Sequence, residues 1–301
     1  MKKILVAVVG PTAVGKTKAS ISIASHFNTE IISADARQFY KEMNIGTAKP
    51  SVAEMQQVPH HFISHLSVRD DYSAGDFEKE ALAKLEELFL HQDVVVVTGG
   101  SGLFVRALLQ GLDVFPGVSE HVIADLDRLY KSEGIQALQK LLKEKDPGYY
   151  EVVDRNNTQR LLRALAVCMS SGQPYSTFRK AKPAYRTFVP LLIGLELERK
   201  ELYHQINERV DRMMQEGFLE EVKTLQSFAQ LNPLQTVGYQ ELFDHIDGKL
   251  SLKDAIDLIK QHTRNYAKRQ LTWFRKEKDI VWFHPDQVRE MIGFIEGKLG
   301  R

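Results

Sequence analysis

The sequence predicts an α/β fold, a P-loop-type parallel sheet flanked by helices, with a separate all-helical insertion. Three observations carry that expectation. Short β-branched runs alternate with stretches of helical periodicity in the first third of the chain, as in a parallel sheet built from βαβ units. A glycine loop sits between the first run and the first helical stretch, where a phosphate loop belongs. After Leu109 the rhythm changes, and the pattern stays helical to about residue 186, broken at Pro116, Pro147, Pro174 and Pro183.

In chain order, residues 4–9 read as a buried first strand. The apolar run after Lys2 and Lys3 ends at a turn-rich Gly-Pro-Thr, too soon for the core of a signal peptide. A helix is expected over residues 16–27, a second strand over 31–33, and a helix over 76–90 with Phe77, Leu82, Leu85 and Leu88 at helical spacing. Residues 94–97 are a run of valines suited to a strand buried on both faces. Residues 188–195 return to the sheet, and 281–283 suit a late edge strand. Between those two the chain is helical, with Gly217 as a helix stop and Ser251 as the N-cap of a long helix running to about residue 276. The expected domains are therefore 1–112 with 187–301, and an insertion over 113–186.

Composition narrows the possible functions. No stretch reaches the roughly 18 apolar residues of a membrane span, and the single cysteine, Cys168, excludes an internal disulfide or a cysteine-rich metal site. A cytoplasmic monomer is expected. The net charge of +1 argues against whole-molecule attraction to a polyanion, so any nucleic-acid contact must come from local clusters. One such cluster is the basic run Lys260, Arg264, Lys268, Arg269, Arg275, Lys276 and Lys278, which reads as a footprint for an RNA backbone.

The sharpest local signal is GPTAVGKT: Gly10, Pro11, Thr12, Ala13, Val14, Gly15, Lys16 and Thr17. Backbone N–H groups of such a loop converge on a polyphosphate, Lys16 adds a charge, and Thr17 offers a hydroxyl to Mg²⁺. An ATPase would place an acid after a buried strand, yet the valine run leads into Thr98, Gly99, Gly100, Ser101 and Gly102. That tract suits close approach of a ligand, with Ser101 as a hydrogen-bond donor. Asp35 follows the second strand and should project from the same sheet edge as the phosphate loop. It is a candidate general base, with Arg37, Gln38 and Tyr40 placed to read or stack on a nucleobase. A helix cap or an outer ligand to Mg²⁺ is the alternative reading of Asp35. His60 and His61 lack a third ligand at metal spacing, which favours a structural or positioning role.

Taken together, GPTAVGKT, DARQFY, IGTAKP, PHH, YSAGDF, GGSGLF, NTQRLLRAL, VGYQE and AKRQLTWFR resemble the signatures of the tRNA dimethylallyltransferase (tRNA isopentenyltransferase) family, in order over essentially the whole chain. Two positions depart from the family pattern: Ala36 where serine is usual, and Ser101 where threonine is usual. The resemblance implies transfer of a dimethylallyl group from dimethylallyl diphosphate to N6 of the adenosine immediately 3′ of the anticodon. It implies Asp35, Thr17, Ser101 and Arg209 as catalytic residues, with Arg209 a second clamp on the diphosphate and Mg²⁺ on Thr17. It also implies tRNA contacts from Asp35, Ala36, Arg37 and Gln38, and from Gln159, Arg160, Leu161, Leu162 and Arg163 in an insertion that grips the anticodon stem-loop. The competing readings are a small-molecule P-loop kinase, a non-catalytic RNA-binding ATPase switch, and an adenylate isopentenyltransferase acting on free AMP.

Overall fold

The computed structural model describes residues 2–179 and 183–300. The chain divides into two compact units, one of Met1–Gln110 with Tyr185–Arg301 and one of Gly111–Ala184.

The first unit is a six-stranded, all-parallel sheet: β1 (Ile4–Val9), β2 (Ile31–Ser33), β3 (His60–His61), β4 (Val94–Gly99), β5 (Val189–Leu195) and β6 (Val281–Phe283), in the order β3-β2-β4-β1-β5-β6. Four helices accompany its first half: α1 (Lys16–His26), α2 (Val52–Gln57), α3 (Ala74–Leu88) and α4 (Gly102–Gln110). The central strands β1, β4 and β5 are almost wholly apolar because both faces are covered. Ile4, Val6 and Val8 of β1 join Val94 and Val96 in one core, whose other members include Ile23 of α1. Leu5, Ala7 and Val9 join Val95 and Val97 in the opposite core with Phe77 and Leu85 of α3 and Leu108 of α4. Each of these valine, leucine, isoleucine and phenylalanine side chains is worth roughly 1.5–3 kcal/mol when fully buried. A one-residue register slip would exchange the two faces, and so the register is firmly specified.

The expected strands are all present, and the expected helix over 76–90 is α3, shifted two residues toward its N-terminus. Ser73 sets that start by accepting the Asp76 N–H, while the Asp76 carboxylate accepts the Ser73 N–H. The strand β3 was not anticipated. It has only two residues, too few for an alternating pattern, and pairing with β2 alone makes it a strand. This accounts for the two histidines: His60 Nδ1 lies 2.7 Å from the Val58 carbonyl and His61 Nε2 lies 2.5 Å from Glu30. No group of three or more potential metal-binding side chains occurs among the described residues.

The second unit is helical, with α5 (Glu120–Glu133), α6 (Ile135–Lys145), α7 (Pro147–Tyr150) and α8 (Thr158–Ser171), followed by a 3₁₀ turn at Tyr175–Phe178. Its own core comprises Leu126, Leu138, Leu142, Val153, Leu161, Ala164, Leu165 and Ala166. The buried Asp146 caps α7 through the Tyr149 N–H and accepts both the N–H and the hydroxyl of Ser176, tying the 3₁₀ turn to the start of α7.

The chain then re-enters the first unit and, after β5, forms α9 (Arg199–Gln215), α10 (Phe218–Thr224), α11 (Tyr239–Ile246), α12 (Leu252–Phe274) and, after β6, α13 (Val288–Leu299). Gly217, at φ 97°, makes the left-handed turn between α9 and α10. Ser251 caps α12 by accepting the Asp254 N–H. No helix among the described residues is long and apolar enough to cross a membrane.

Candidate active site

In the first unit β1, β4 and β5 end together at the carboxyl edge of the sheet, with Val9 opposite Gly99 on one side and Gly194 on the other. Crevices at that edge are the usual ligand sites of parallel sheets. The phosphate loop leaves β1 there. Gly10 has φ 148°, and a Cβ at this position would lie 2.6 Å from the Leu195 carbonyl oxygen, so no other residue fits. Gly15, at φ 96°, turns the chain into α1, whose N-terminus is capped by no side chain. Its first-turn N–H groups therefore remain for an anion. Lys16 folds inward, its ammonium donating to the carbonyls of Gly10 at 3.1 Å and Pro11 at 2.7 Å. Thr17 follows in the first turn of α1.

Asp35 lies just past β2 and accepts the Arg37 N–H at 3.0 Å. Its carboxylate interacts with both Lys16 and Arg209, the latter carried by α9. Burial pulls the Lys16 ammonium down to about 8, with Asp35 partly offsetting that fall and Arg209 adding to it. Burial also lowers Arg209, again with Asp35 opposing. Two buried cations against one carboxylate leave an excess positive charge that an anion would neutralise. Of the four residues expected to be catalytic, the structure thus brings Asp35 and Arg209 to the loop that carries Thr17.

Ser101 completes the group. Its hydroxyl oxygen accepts the Ala36 N–H at 3.0 Å and also hydrogen-bonds Tyr266 of α12. Because Ala36 contributes its backbone, the missing side-chain hydroxyl at that position leaves this contact intact. The Tyr266 hydroxyl is pushed up to about 12, mainly by burial and next by the Asp35 charge, so it stays protonated at neutral pH.

Asp35, Ala36, Ser101, Arg209 and Tyr266 line a cavity of about 580 Å³, whereas Lys16 and Thr17 are not among its lining residues. Its polar lining includes Thr12, Asp35, Arg37, Ser101, Arg209, Arg269 and Gln270, while Val210, Met213, Phe218, Val237, Ile259 and Trp273 are among its apolar residues. Few converging polar groups beside an apolar wall are the mark of a small-molecule site.

Two motifs that looked separate in sequence meet in the cavity wall. The Glu221 carboxylate of α10 accepts the backbone N–H groups of Asn44, Ile45 and Gly46 together with the Tyr239 hydroxyl. Gly46 is glycine because a Cβ there would lie 2.2 Å from the Phe218 ring. Charge-assisted bonds of this kind contribute about 1.5–3 kcal/mol each in favourable cases, with the unpaired amides adding to the loss. Glu221→Ala is accordingly expected to lower stability by about 2–4 kcal/mol in urea denaturation. A loss below about 0.5 kcal/mol would mean that the Asn44 to Gly46 turn is held by packing alone.

Several expectations need correction. Gln38 is not turned outward for a ligand: its Nε2 donates to the Thr47 and Ala48 carbonyls and its Oε1 accepts the Ser33 hydroxyl, committing both ends to the loop wall. Leu161 is 0% exposed and belongs to the core of the second unit, so it positions its helix and cannot touch RNA. Leu162 packs partly against the same core. The glycine tract after β4 is shaped by the chain itself: a Cβ at Gly99 would meet the Ala34 carbonyl at 2.4 Å, at Gly100 Gln270 Nε2 at 2.2 Å, and at Gly102 Trp273 Nε1 at 2.2 Å. The basic run near α12 is also not one footprint. Lys260 pairs with Asp211, Arg264 donates to Asn207, Arg275 pairs with Glu196, and Arg269 lines the cavity.

Tyr266, Gln270 and Trp273 were missed as site residues, although a signal existed. With Ile259 and Thr263 they fall at i, i+4, i+7, i+11 and i+14, a single stripe of one helix, and the stripe faces the cavity. Of the basic residues interspersed with them, Arg269 also lines the cavity, whereas Lys260, Arg264 and Lys268 do not.

In the second unit, Gln159, Arg160 and Arg163 are exposed on α8. Arg163 lies over the Phe115 ring at 5.7 Å, Phe115 stacks on Tyr175 with centroids 4.6 Å apart and planes at 9°, and Tyr175 packs on Tyr149, which Arg179 covers at 5.3 Å. These half-buried rings and the two arginines form one continuous cluster beside α8.

A family model described as IPP transferase matches residues 38–277. The chain is 48% identical over 300 residues to a tRNA dimethylallyltransferase of Christiangramia forsetii, covering 99% of each, and 49% identical over 300 residues to that of Flavobacterium johnsoniae, covering 97% of each. Among solved structures it is similar to the full-length tRNA isopentenylpyrophosphate transferase of Bacillus halodurans (TM-score 0.73, 37% identity, 99% of this chain and 97% of that one). It is also similar to a eukaryotic dimethylallyltransferase described as acting on tRNA (TM-score 0.80, 25% identity, 94% of this chain and 74% of that one).

Proposed function

This chain belongs to the IPP transferase family and is a prenyl-transferring enzyme that modifies tRNA, and we propose that it moves the dimethylallyl group of dimethylallyl diphosphate onto N6 of the adenosine immediately 3′ of the anticodon. The observation that carries this reading is the cluster of Lys16 and Arg209 around Asp35, at a phosphate loop with no acid after β4 and beside an apolar cavity wall. Such a site suits an anionic leaving group joined to a hydrocarbon.

In the transfer, the N6–C1 bond forms as the C1–O bond to diphosphate breaks, and one N6 proton must leave. Lys16, Arg209 and the loop amides stabilise the departing pyrophosphate, and Asp35 accepts the proton. Ser101 and Tyr266 fix the loop that carries Asp35 through the Ala36 N–H. A Mg²⁺ ion, if bound here, would be held by the Thr17 hydroxyl and by oxygens of the substrate diphosphate. When bound it supplies further positive charge to the leaving group. An adenine stacked in an anticodon loop cannot reach such a site, so the base must be flipped out.

The test is incorporation of label from dimethylallyl diphosphate into unmodified tRNA with Mg²⁺ and no ATP, beside a parallel assay with AMP. Label in tRNA alone is expected. Label in AMP would instead support an adenylate isopentenyltransferase, and label in neither would restore the small-molecule kinase.

Lys16 must be charged to hold the diphosphate, and in the free enzyme it loses its proton near pH 8. On the alkaline side, kcat/KM for the donor should therefore fall above about pH 8, by up to about tenfold per unit. A profile flat to pH 10 would show that Lys16 does not bind the donor as an ammonium.

We further propose that the second unit grips the anticodon stem-loop through Gln159, Arg160 and Arg163. Replacing Arg160 and Arg163 together by alanine should weaken tRNA binding and reduce its salt slope by about two. An unchanged slope would remove both from the interface.

A further inference from the structure

Gln270 stands between the two loops that the reaction must bring together. The residue is 6% exposed, and both ends of the carboxamide are engaged. The carbonyl oxygen Oε1 accepts the Thr12 N–H of the phosphate loop at 2.8 Å, and Nε2 donates to the Gly100 carbonyl at 2.9 Å. Gly100 is covalently followed by Ser101, whose hydroxyl oxygen accepts the Ala36 N–H, and Ala36 is joined to Asp35. One unbroken path therefore runs from an amide of the phosphate loop to the loop of the candidate base. The glycine at position 100 exists for this contact, since a Cβ there would lie 2.2 Å from Gln270 Nε2.

The path has a second property. The chain satisfies part of its own loop: Gln270 takes the Thr12 amide, and the Gly10 and Pro11 carbonyls take the Lys16 ammonium. An incoming diphosphate that takes the Thr12 N–H must displace Oε1, and any shift of that carboxamide moves the Gly100 carbonyl with it. No other side chain hydrogen-bonds to both the phosphate loop and the glycine tract among the described residues.

We propose that Gln270 is a positioning residue that couples occupancy of the diphosphate loop to the placement of Ser101 and, through Ala36, of Asp35. It touches no reacting atom in this role and acts through the two loops. The proposal rests on the diphosphate reading of the loop given above and adds the means by which donor binding sets the acceptor side.

The variant Gln270→Met keeps the length of the side chain and removes both hydrogen bonds. Because Gln270 competes with an anion for the Thr12 amide, the variant should bind inorganic pyrophosphate at least as tightly as the parent. It should nevertheless transfer more slowly, kcat falling by about 10- to 100-fold as the loops lose register. Damage to the site would weaken both, so this split separates positioning from structure. Hydrogen exchange gives a readout without tRNA or catalysis: saturating pyrophosphate should protect residues 98–103 and 35–37 in the parent and leave them unprotected in the variant. Equal protection in parent and variant, or a kcat within about threefold of the parent, would overturn the coupling. Should Gln270→Met fail to fold, Gln270→Glu retains an acceptor for Thr12 and cannot donate to Gly100, and the same loss of spreading protection is expected at saturating pyrophosphate. A parent enzyme that does not bind pyrophosphate would fail the diphosphate reading itself, whereas binding without spread fails only Gln270.

Discussion

Asp35→Asn is expected to lower kcat for prenyl transfer by about 10²- to 10⁴-fold, the range attributed to a positioned general base, with tRNA affinity nearly unchanged. The substitution keeps the shape of the side chain and its acceptor for the Arg37 N–H, and it removes the negative charge. That charge now offsets Lys16 and Arg209, so its loss should leave pyrophosphate binding as tight or tighter. It should also lower the pH at which Lys16 loses its proton, because Asp35 is what raises that value against burial. Single-turnover rates with saturating donor and tRNA would show the loss directly. A rate within about threefold of the parent would make Asp35 a structural acceptor, and lost tRNA binding would make it a recognition residue.

Lys16→Ala should act on the other half of the reaction, lowering kcat/KM for the donor by about 10²- to 10³-fold, the cost of one preorganised donor aimed at developing charge. Part of that loss will appear in binding, since the ammonium faces the diphosphate before and during bond cleavage. The variant should bind pyrophosphate weakly and keep its affinity for tRNA. It should also lose the decline above pH 8, because the group responsible has gone. A variant that retains the parent's pH profile would assign that decline elsewhere and leave Lys16 bonded only to Gly10 and Pro11.

The phosphate loop was legible because its physics is local: a strand, a glycine that must avoid the Leu195 carbonyl, and a lysine at the start of a helix lie within one short segment. The valine strand β4 was legible for a related reason, as burial on both faces leaves no polar position. Two-residue β3 carried no periodicity and exists only through its pairing with β2. The glycine tract was visible, yet its reason lay about 170 residues away in Gln270 and Trp273, which fill the space that side chains would need. Leu161 shows the same limit from the other side. A motif marks a helix, and only packing decides which of its residues face the core.

By itself, then, the sequence determined the parallel α/β sheet, the phosphate loop at its carboxyl edge and the helical character of residues 113–186, because strand burial, loop geometry and helical period are written in neighbouring residues. Tertiary structure decided which side chains share the cavity. Asp35, Ser101, Arg209 and Gln270 come from four separate segments, and the pairing of β4 with both β1 and β2, together with the packing of α12 against α9 and α4, brings them to one place.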